Sequence, residues 1–444
     1  MADAGRTGHT RRRGAPVALG GVVAIAALAG VALGLVGARQ LSTSDVAAAE
    51  ADASSLPVAS VTAEAQPAPV LSPSPPAPAP AGPVRFTLVA AGDVLPHSPV
   101  NASAAVDGGY DFTALMAGVQ PYIEGADLAL CHMEVPVAPA GTKPTGYPVF
   151  SAPDALVRDL KAVGWDGCST ASNHSVDKGL SGVEATLAAF DANRLQHAGT
   201  ARSADEGART SFYSVRTGTR TVKVAHISFA YGTNGLPVRE PWEVNLFDAD
   251  GADAGPIIAA AEKARADGAD VVVASVHCCV EYRTAPTDAQ RSIAEQIAES
   301  GAVDLYIGHH AHVPQPIELL PGGPDGDGMW TAFGLGNFLS NQDSNCCVPQ
   351  TSNGLLLTAT FEVDPDGGVA VGAQWTAITV DKRDGHTMHA LADITDGAGT
   401  LSASQVADRL ALVREAAGTQ APERTEPAER LADQMYAQLR ISAA

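Results

Sequence analysis

The chain has 444 residues, 45% of them apolar, and its 49 Asp and Glu outnumber its 28 Lys and Arg to give a formal net charge of −21 at pH 7. Proteins that bind nucleic acids neutralise phosphates with clustered Lys and Arg, so this charge balance excludes nucleic acid as a partner. The length allows a large hydrophobic core, and the 12 His and 6 Cys are enough to build a metal site.

The N-terminal residues predict a membrane segment. Residues 1–16 carry four Arg and one Asp, whereas the 21 residues of 17–37 carry no charge. A helix of that length, at about 1.5 Å rise per residue, reaches roughly the 30 Å of a bilayer core. The basic flank predicts that 1–16 is cytoplasmic and that the chain after residue 37 is outside. The alternative to this signal anchor is a signal peptide cleaved near 46–49, but the long apolar stretch favours the anchor.

A linker follows the membrane segment. Residues 38–83 are rich in Ala and Pro, with nine prolines between Pro57 and Pro83. Such a sequence has little to pack and favours an extended, disordered spacer. At residue 84 the sequence changes to VRFTLVAAGD, which is typical of a buried strand. We therefore expect a globular domain to begin near residue 84.

From residue 84 onward, strand and helix patterns alternate, which predicts an α/β fold with a mostly buried sheet. The predicted strands are 85–91, 128–133, 221–229, 270–277, 303–308 and 330–335, and the predicted helices are 155–163, 182–193, 256–267 and 288–300. Two further strands, 354–363 and 369–379, flank a turn of Asp, Pro and Gly and predict a hairpin. The domain is expected to span 84–397, and a helical C-terminal segment, 398–444, is expected to contain helices at 402–418 and 427–439.

Polar side chains follow the predicted strands. Each is a residue type that binds metals, and they are Asp93, Glu134, Asn173, His277, His310 and His312. Ligands of open α/β sheets bind beyond the carboxyl ends of the strands, so we expect these side chains to converge. A mixed set of carboxylate, amide and imidazole ligands suits Mn, Fe or Zn better than Ca or Mg. The pattern indicates a dinuclear hydrolytic centre with two divalent metal ions.

Six motifs in this order carry a resemblance to a known family. They are GDVLPH (92–97), HMEVP (132–136), ASNHSVDKG (171–179), SVHCCVEY (275–282), IGHHAHVPQ (307–315) and GLGNFLSNQ (334–342). Over about residues 85–345 the chain resembles the CapA family of capsule synthesis proteins, also described as poly-γ-glutamate synthesis or PGA_cap proteins. The fold of that family is related to calcineurin-like metallophosphoesterases.

The resemblance implies a metallophosphatase-like layered β-sandwich flanked by helices, with metal ligands at the strand ends. It assigns Asp93 and His312 to one ion, with Glu134 bridging, and it assigns three residues to the second ion, Asn173, His277 and His310. His97 follows Asp93 by four residues, whereas phosphoesterases place a His two residues after their first Asp. His97 is therefore expected to be either a ligand or a substrate contact.

The resemblance also places His174 at the position of a general acid, since an imidazole with a near-neutral pKa can protonate a leaving atom. Asp177 is expected either to orient His174 or to cap the helix that begins near Gly179. His132 stands where the family commonly has Asn, and it is either a site contact or a buried strand-end His. Glu281 is a further candidate metal or substrate contact. The family often has Trp-Gly after His277, and here Cys278 and Cys279 stand instead, so the pocket wall is expected to differ.

The cysteines are expected to form disulfides because their number is even in an exported chain. Cys131 and Cys168 each lie beside a motif of the predicted site, which makes their pairing plausible. The adjacent pairs, Cys278 with Cys279 and Cys346 with Cys347, are expected either to cross-link the loops after His277 and Asn337 or to form vicinal bridges. Zinc ligation by thiolates is the disfavoured alternative because no C-x-x-C spacing occurs.

These features predict a membrane-anchored, extracytoplasmic metal-dependent hydrolase or transferase in the biosynthesis of a capsule or poly-γ-glutamate type polymer. Its expected partners are a cell-surface polymer or its precursor and other capsule synthesis proteins of the membrane. Two alternatives stay open at this point: a non-catalytic component that binds polymer or partner proteins, and a general secreted phosphoesterase.

Overall fold

The computed structural model describes residues 82–437. The predicted segments 1–16 and 17–37 and all of the linker up to residue 81 lie outside the described residues. Between residues 82 and 437, no helix is both long and apolar enough to cross a membrane. The described chain is built on two large β-sheets that pack face to face, with helices on their outer faces.

The helices and strands alternate along most of the chain. Within residues 82–437, the strands are β1 (Val84–Leu95), β2 (Ala105–Val106), β3 (Gly109–Tyr110), β4 (Leu128–Met133), β5 (Gly167–Ser169), β6 (Gln196–Ala198), β7 (Ser211–Thr217), β8 (Arg220–Ala230), β9 (Val271–His277), β10 (Leu305–His309), β11 (Ile317–Leu320), β12 (Met329–Ala332), β13 (Asn337–Ser340), β14 (Asn353–Val363), β15 (Val369–Asp381), β16 (Thr387–Ala390), β17 (Gly397–Ala398), β18 (Leu401–Ser402) and β19 (Gln434–Ala437). The helices are α1 (Ser98–Ser103), α2 (Thr113–Met116), α3 (Gln120–Glu124), α4 (Ala155–Ala162), α5 (Gly179–Ala192), α6 (Ala204–Gly207), α7 (Gly255–Ala266), α8 (Asp288–Ser300) and α9 (Ala403–Ala417), with 3-10 turns at Pro349–Ser352 and Leu391–Ile394.

The two sheets have mixed strand directions. The first sheet has the order β16-β15-β14-β1-β4-β5-β6, with β13 also paired to β1. Strands β1, β4, β5 and β6 run parallel, and the predicted hairpin of β14 and β15 continues the sheet antiparallel. The second sheet has the order β11-β12-β10-β9-β8-β7-β19, with β8, β9, β10 and β12 parallel. The predicted α/β class is confirmed.

The C-terminal segment differs from the expected pair of helices. The first is present as α9, which begins with a capping box on Ser402. The second, predicted at 427–439, is wrong over the described residues, because β19 pairs antiparallel with the edge of β7. The chain before β19 also gives its backbone hydrogen bonds to other parts of the fold: the N–H groups of Leu431 and Ala432 donate to the buried carboxylate of Asp127. The backbone hydrogen bonds of this segment are thus made with the edge of β7 and with the Asp127 carboxylate, and not within a helix.

Alternating residues of the central strands form the core between the sheets. The residues facing this core are apolar along most of each strand and become histidine at its carboxyl end. The inward-facing rows are Leu128, Leu130 and His132 in β4, Val271, Val273 and His277 in β9, and Leu305, Ile307 and His309 in β10. Because side chains alternate between faces with a period of two, the strand pattern that builds the core also delivers three imidazoles to one end of it.

Strand β1 contains an extra residue that turns its polar end toward the same core. Ala90 lies opposite Leu130 of β4, and Asp93 lies opposite His132. Over this stretch β1 therefore advances by three residues while β4 advances by two. This bulge reverses the alternation and turns Asp93 toward the core between the sheets. Gly92, within the bulge, lies so close to Gly336 that a Cβ there would be 1.9 Å from the Gly336 carbonyl oxygen.

We expect Gly92→Ala to destabilise the protein by about 3 kcal/mol, because overpacking against backbone cannot be relieved by a side-chain rotation. The matched control is Gly372→Ala, since Gly372 also lies in a strand and its added Cβ would meet nothing within 4 Å. That control should be neutral or stabilising by about 0.5 kcal/mol, as alanine loses less entropy on folding than glycine. Denaturant unfolding of both variants checks the difference. Equal stabilities would show that the contact between Gly92 and Gly336 is not tight.

Candidate metal centre

Two rows of opposed residues, one from each sheet, form the base of the site. In the first sheet, adjacent strands place Asn337 opposite Asp93 and Asp93 opposite His132. In the second sheet, His277 and His309 are opposite each other on β9 and β10. The rows meet at the carboxyl ends of the parallel strands, which is where ligands of such sheets bind.

The Asp93 carboxylate is buried among imidazoles. Its Oδ2 lies 2.9 Å from Nδ1 of His312, and its Oδ1 lies 3.5 Å from Nδ1 of His309. Burial opposes ionisation of this group, but the contacts with His309 and His312 outweigh it and hold the pKa of the carboxyl well below its usual range. Asp93 therefore presents a carboxylate anion to the site.

Glu134 follows β4 directly and is completely buried. Among the described residues, neither of its carboxyl oxygens has a hydrogen-bond partner, and the nearest imidazole, that of His312, is 3.7 Å from Oε1. Burial raises the pKa of Glu134 well above its usual range. A buried carboxyl without partners is costly unless a cation compensates it, so Glu134 fits a metal ligand better than a structural residue.

His312 lies between the carboxylates. Its Nε2 is 3.7 Å from Glu134 and 3.9 Å from Glu281, and its Nδ1 is 3.2 Å from Oδ1 of Asn337. Burial alone would lower its pKa, but Glu134 and Asp93 raise the pKa of His312 to about 9. The same carboxylates that raise this pKa would also attract a divalent ion.

A second group of ligands lies beside the first. Nε2 of His277 is 2.9 Å from Oδ1 of Asn173, and the His310 ring centre is 4.7 Å from that of His277. Nδ1 of His310 is buried and has no hydrogen-bond partner within the described part of the chain. His310 and His312 both have positive φ angles, 83° and 56°. This left-handed backbone costs about 1 kcal/mol or more at each non-glycine residue and turns both rings toward the strand ends.

The structure thus brings the six residues that the sequence singled out as metal ligands into one cluster. Three sets of buried or half-buried donors have all their ligand atoms within 4.8 Å of one another, and these are Asp93 with Glu134 and His312, Glu281 with His310 and His312, and Asp93 with His132 and His277. Orphaned acidic and imidazole groups at such distances fit one or more divalent cations. The mixed oxygen and nitrogen donors suit Mn, Fe or Zn.

His174 and Asp177 form a dyad beside the cluster. Nδ1 of His174 lies 2.7 Å from Oδ2 of Asp177, and the N–H of Phe150 donates to the same carboxylate oxygen. The first residue of α5 is Gly179 and its N-cap is Lys178, and no side chain among the described residues caps this helix. Of the two roles expected for Asp177, the geometry therefore matches orientation of His174 and not capping of the helix.

An open cleft of about 860 Å³ leads to the cluster. Its walls include His97, Tyr147, Phe150, His174, Tyr282 and His312. No lysine or arginine is among the described residues that line it, whereas Asp177 and Glu281 are. Lysine and arginine therefore add no positive charge to the cleft walls, and divalent cations held by the cluster would supply the attraction for an anionic group that enters the cleft.

Three candidate contacts take different places. Glu281 lines the cleft and approaches His312. His97 lies on the cleft wall: its Nδ1 is 3.0 Å from the Leu95 carbonyl oxygen and its ring packs edge-on against Phe150. His97 belongs to none of the three donor sets, which matches a substrate contact. His132 is completely buried behind the cluster.

The structure pairs all six cysteines. Cys131 on β4 is bonded to Cys168, its neighbour on β5. Each adjacent pair, Cys278 with Cys279 and Cys346 with Cys347, is joined within itself and not to the other pair. The expected cross-link between the two loops is absent from the described residues because Cys278 is buried in the core on the outer face of the second sheet, whereas Cys346 and Cys347 line the cleft.

Several residues at the site were not predicted as site residues. His309 contacts Asp93, the amide of Asn337 donates to the His312 carbonyl, and Asn234 contacts both Asn173 and His174. His309 and Asn337 lie within motifs that the sequence analysis identified. They were not predicted as site residues because the sequence does not show which face of its strand each side chain is on. Nothing in the sequence near Asn234 marks it.

Comparison with known proteins supports one family. The family model "Bacterial capsule synthesis protein PGA_cap" matches residues 87–342. The PGA biosynthesis protein CapA of Bacillus subtilis is 30% identical over 186 residues, which are 42% of this chain and 45% of that protein. A probable polyglutamine synthesis accessory protein of Mycobacterium tuberculosis is 25% identical over 270 residues, covering 58% of this chain and 67% of that one. The chain thus spans about half the length of the Bacillus relative.

Two solved structures match this chain with low TM-scores. A phosphatase from Mycoplasma pneumoniae matches with a TM-score of 0.37 at 14% identity, covering 66% of this chain and 94% of its own. A calcineurin-like phosphoesterase from Bacillus subtilis matches with a TM-score of 0.39 at 14% identity, covering 75% and 97%. At these scores the two structures define neither a site nor an activity for this chain.

Proposed function

Because this chain belongs to the PGA_cap family of bacterial capsule synthesis proteins, we propose that it is a metal-dependent hydrolase or transferase that assembles or processes a surface polymer. The observation that carries the proposal is the buried carboxyl of Glu134, which has no hydrogen-bond partner in the described structure and lies in a donor set with Asp93 and with His312, a residue that lines the open cleft. A structural core gains nothing from such a group.

The proposed roles follow the two groups of ligands. Asp93 and His312 would hold one divalent ion, Asn173, His277 and His310 would hold a second, and Glu134 would supply a carboxylate to both. Bound there, divalent ions would act as Lewis acids at the attacked centre and lower the pKa of a water molecule. His174 donates a proton to the leaving atom, and Asp177 holds its ring in place through the contact between Nδ1 and Oδ2.

We place the domain outside the cell on a single membrane anchor. The uncharged segment 17–37 and its basic flank support this location, and so does the pairing of all six cysteines, which suits an oxidising compartment. The relatives' names, PGA biosynthesis and polyglutamine synthesis accessory protein, support a capsule or polyglutamate-type polymer or its precursor as substrate. Other capsule synthesis proteins of the membrane are the proposed partners.

The test is metal content and turnover of the purified full-length chain. We expect bound divalent metal and metal-dependent cleavage of at least one class among phosphodiesters, nucleotides and γ-glutamyl amides. Turnover of γ-glutamyl amides alone would identify a polymer-directed enzyme, and turnover of simple phosphate esters alone would favour a general phosphoesterase. A chain that binds no divalent metal would overturn the proposal.

The second candidate function is a non-catalytic assembly component that binds polymer or partners through the same cleft. The word "accessory" in the name of the mycobacterial relative favours it. The two candidate functions differ in the effect of replacing His174. A binding component would still support capsule formation without His174, whereas an enzyme would not.

A further inference from the structure

His132 has a place in the structure that neither a cleft contact nor an ordinary core residue would have. It is completely buried, and both of its ring nitrogens have polar partners. Nδ1 lies 2.8 Å from Oγ of Ser169, and Nε2 lies 2.9 Å from Nδ1 of His277. The ring is therefore a link between the first sheet and a candidate metal ligand of the second.

The link is part of a longer chain of polar contacts. At one end, Oγ of Ser169 donates to the carbonyl oxygen of Cys131 at 3.4 Å. At the other end, Nε2 of His277 faces Oδ1 of Asn173 at 2.9 Å. Both terminal atoms only accept hydrogen bonds, so the protons on the two rings between them have two self-consistent arrangements.

Only one arrangement lets His277 bind a metal. A histidine ligates through a ring nitrogen that carries no proton, so ligation through Nε2 requires the proton on Nδ1 and an acceptor for it. His132 supplies that acceptor when its own proton is on Nδ1 and donated to Ser169, which then donates to Cys131. In the reverse arrangement Nε2 of His277 is protonated and donates to Asn173, and the site is closed to an ion.

We propose that His132 is a positioning residue that sets the tautomer and ring orientation of His277 for metal binding. This inference rests on the metal centre of the proposed function. Metal-bound histidines usually donate to a carboxylate, a carbonyl or water, and here an imidazole takes that role. His132 does belong to a donor set with Asp93 and His277, but its Nε2 lies 2.9 Å from Nδ1 of His277 and its ring is stacked on His309 with centres 4.0 Å apart, so we assign it the role of hydrogen-bond partner to His277.

The strand register supports the same assignment. His132 and Ser169 are opposite each other on β4 and β5, and so are Cys131 and Cys168 one residue earlier. The disulfide between these cysteines covalently joins the strands next to the pair that makes the hydrogen bond. The far end of the chain of contacts is thus held at a fixed spacing.

The test compares two variants of the full-length chain. His132→Leu removes the acceptor at similar size, and His132→Gln restores an acceptor at a similar reach. His226→Leu is the matched control, because His226 is also buried and its Nε2 lies 2.9 Å from Oγ of Ser275, which is not a candidate ligand. The readouts are ions bound per chain at saturating metal, affinity by chelator competition, and ring ¹⁵N signals of labelled histidines.

We expect His132→Leu to lower metal affinity by about 10- to 100-fold with the number of ions unchanged, and His132→Gln to restore most of the affinity. In the metal-loaded wild type, His277 should show a protonated Nδ1 and a ligated Nε2. Unchanged affinity in His132→Leu, or a protonated Nε2 on His277 with metal bound, would overturn the inference. Loss of a whole ion that glutamine does not restore would make His132 a ligand and overturn it as well.

Two outcomes separate this inference from the proposed function. Wild-type protein that binds no metal would contradict the proposed function itself. Wild-type protein that binds metal while His132→Leu behaves like the His226→Leu control would contradict only the role of His132. If His132→Leu does not fold, the ¹⁵N signals of the wild type decide the question.

Discussion

Glu134→Gln is expected to remove most of the bound divalent metal and to lower metal-dependent turnover by more than about 100-fold. Replacing a residue that only hydrogen-bonds to a metal ligand costs at most about 100-fold, and loss of a ligand should cost more. Glutamine keeps the shape of the side chain but carries no charge, so it cannot bridge two cations. Metal analysis of the purified chain, together with turnover at saturating metal, measures both effects.

Glu243→Gln is the control for this variant. Glu243 is also buried, at 2% exposure, and belongs to none of the donor sets. We expect wild-type metal content in this control, since a change at a buried carboxyl elsewhere does not touch the site. A Glu134→Gln protein that keeps its full metal content and activity would contradict the role proposed for Glu134.

His174→Asn is expected to lower turnover by about 10²- to 10⁴-fold while leaving metal content unchanged, because the ring donates a proton and is not a ligand. The contact with Asp177 and the position of His174 on the cleft wall are the structural basis. Single-turnover kinetics with a poor leaving group would show the largest loss, since such a group depends most on protonation.

Two companion variants sharpen this result. Asp177→Asn should give a smaller loss, because it disturbs the orientation of the ring and leaves the proton donor in place. His389→Asn replaces a half-buried histidine outside the cleft and should match the wild type. Normal capsule formation in cells that carry His174→Asn would favour the non-catalytic assembly component over the enzyme.

The parts of the fold with long periodic patterns were predictable. Strand β4 and helix α8 have the predicted bounds, and the apolar runs of β9 and β10 differ from prediction by one or two residues. Their polar ends could be identified because an apolar strand that stops at a histidine or a carboxylate is visible in a single sequence. The three-residue strands β5 and β6 are too short to show a period and were missed.

Other features depended on distant partners. Strand β19 forms because β7 offers an edge, and the nearby Asp127 carboxylate accepts two backbone N–H groups. The inward direction of His309 follows from its register with β9, which no local pattern shows. The predicted first strand stopped at residue 91 because glycine interrupts its apolar run, whereas β1 continues through a bulge to Leu95.

That bulge ties the chemistry of the site to strand alignment. If the same β1 sequence ran straight, without the bulge, Asp93 would point to the opposite face of the sheet, where Cys131 and Met133 pack under the helices. The apolar residues of β1 would still have a core to enter, because both faces of this strand are covered. A single-residue deletion near Gly92 would thus leave Asp93 two residues after Ala90 and still opposite His132, whereas a β1 of unchanged length without the bulge would fold but would lose this carboxylate from the metal centre.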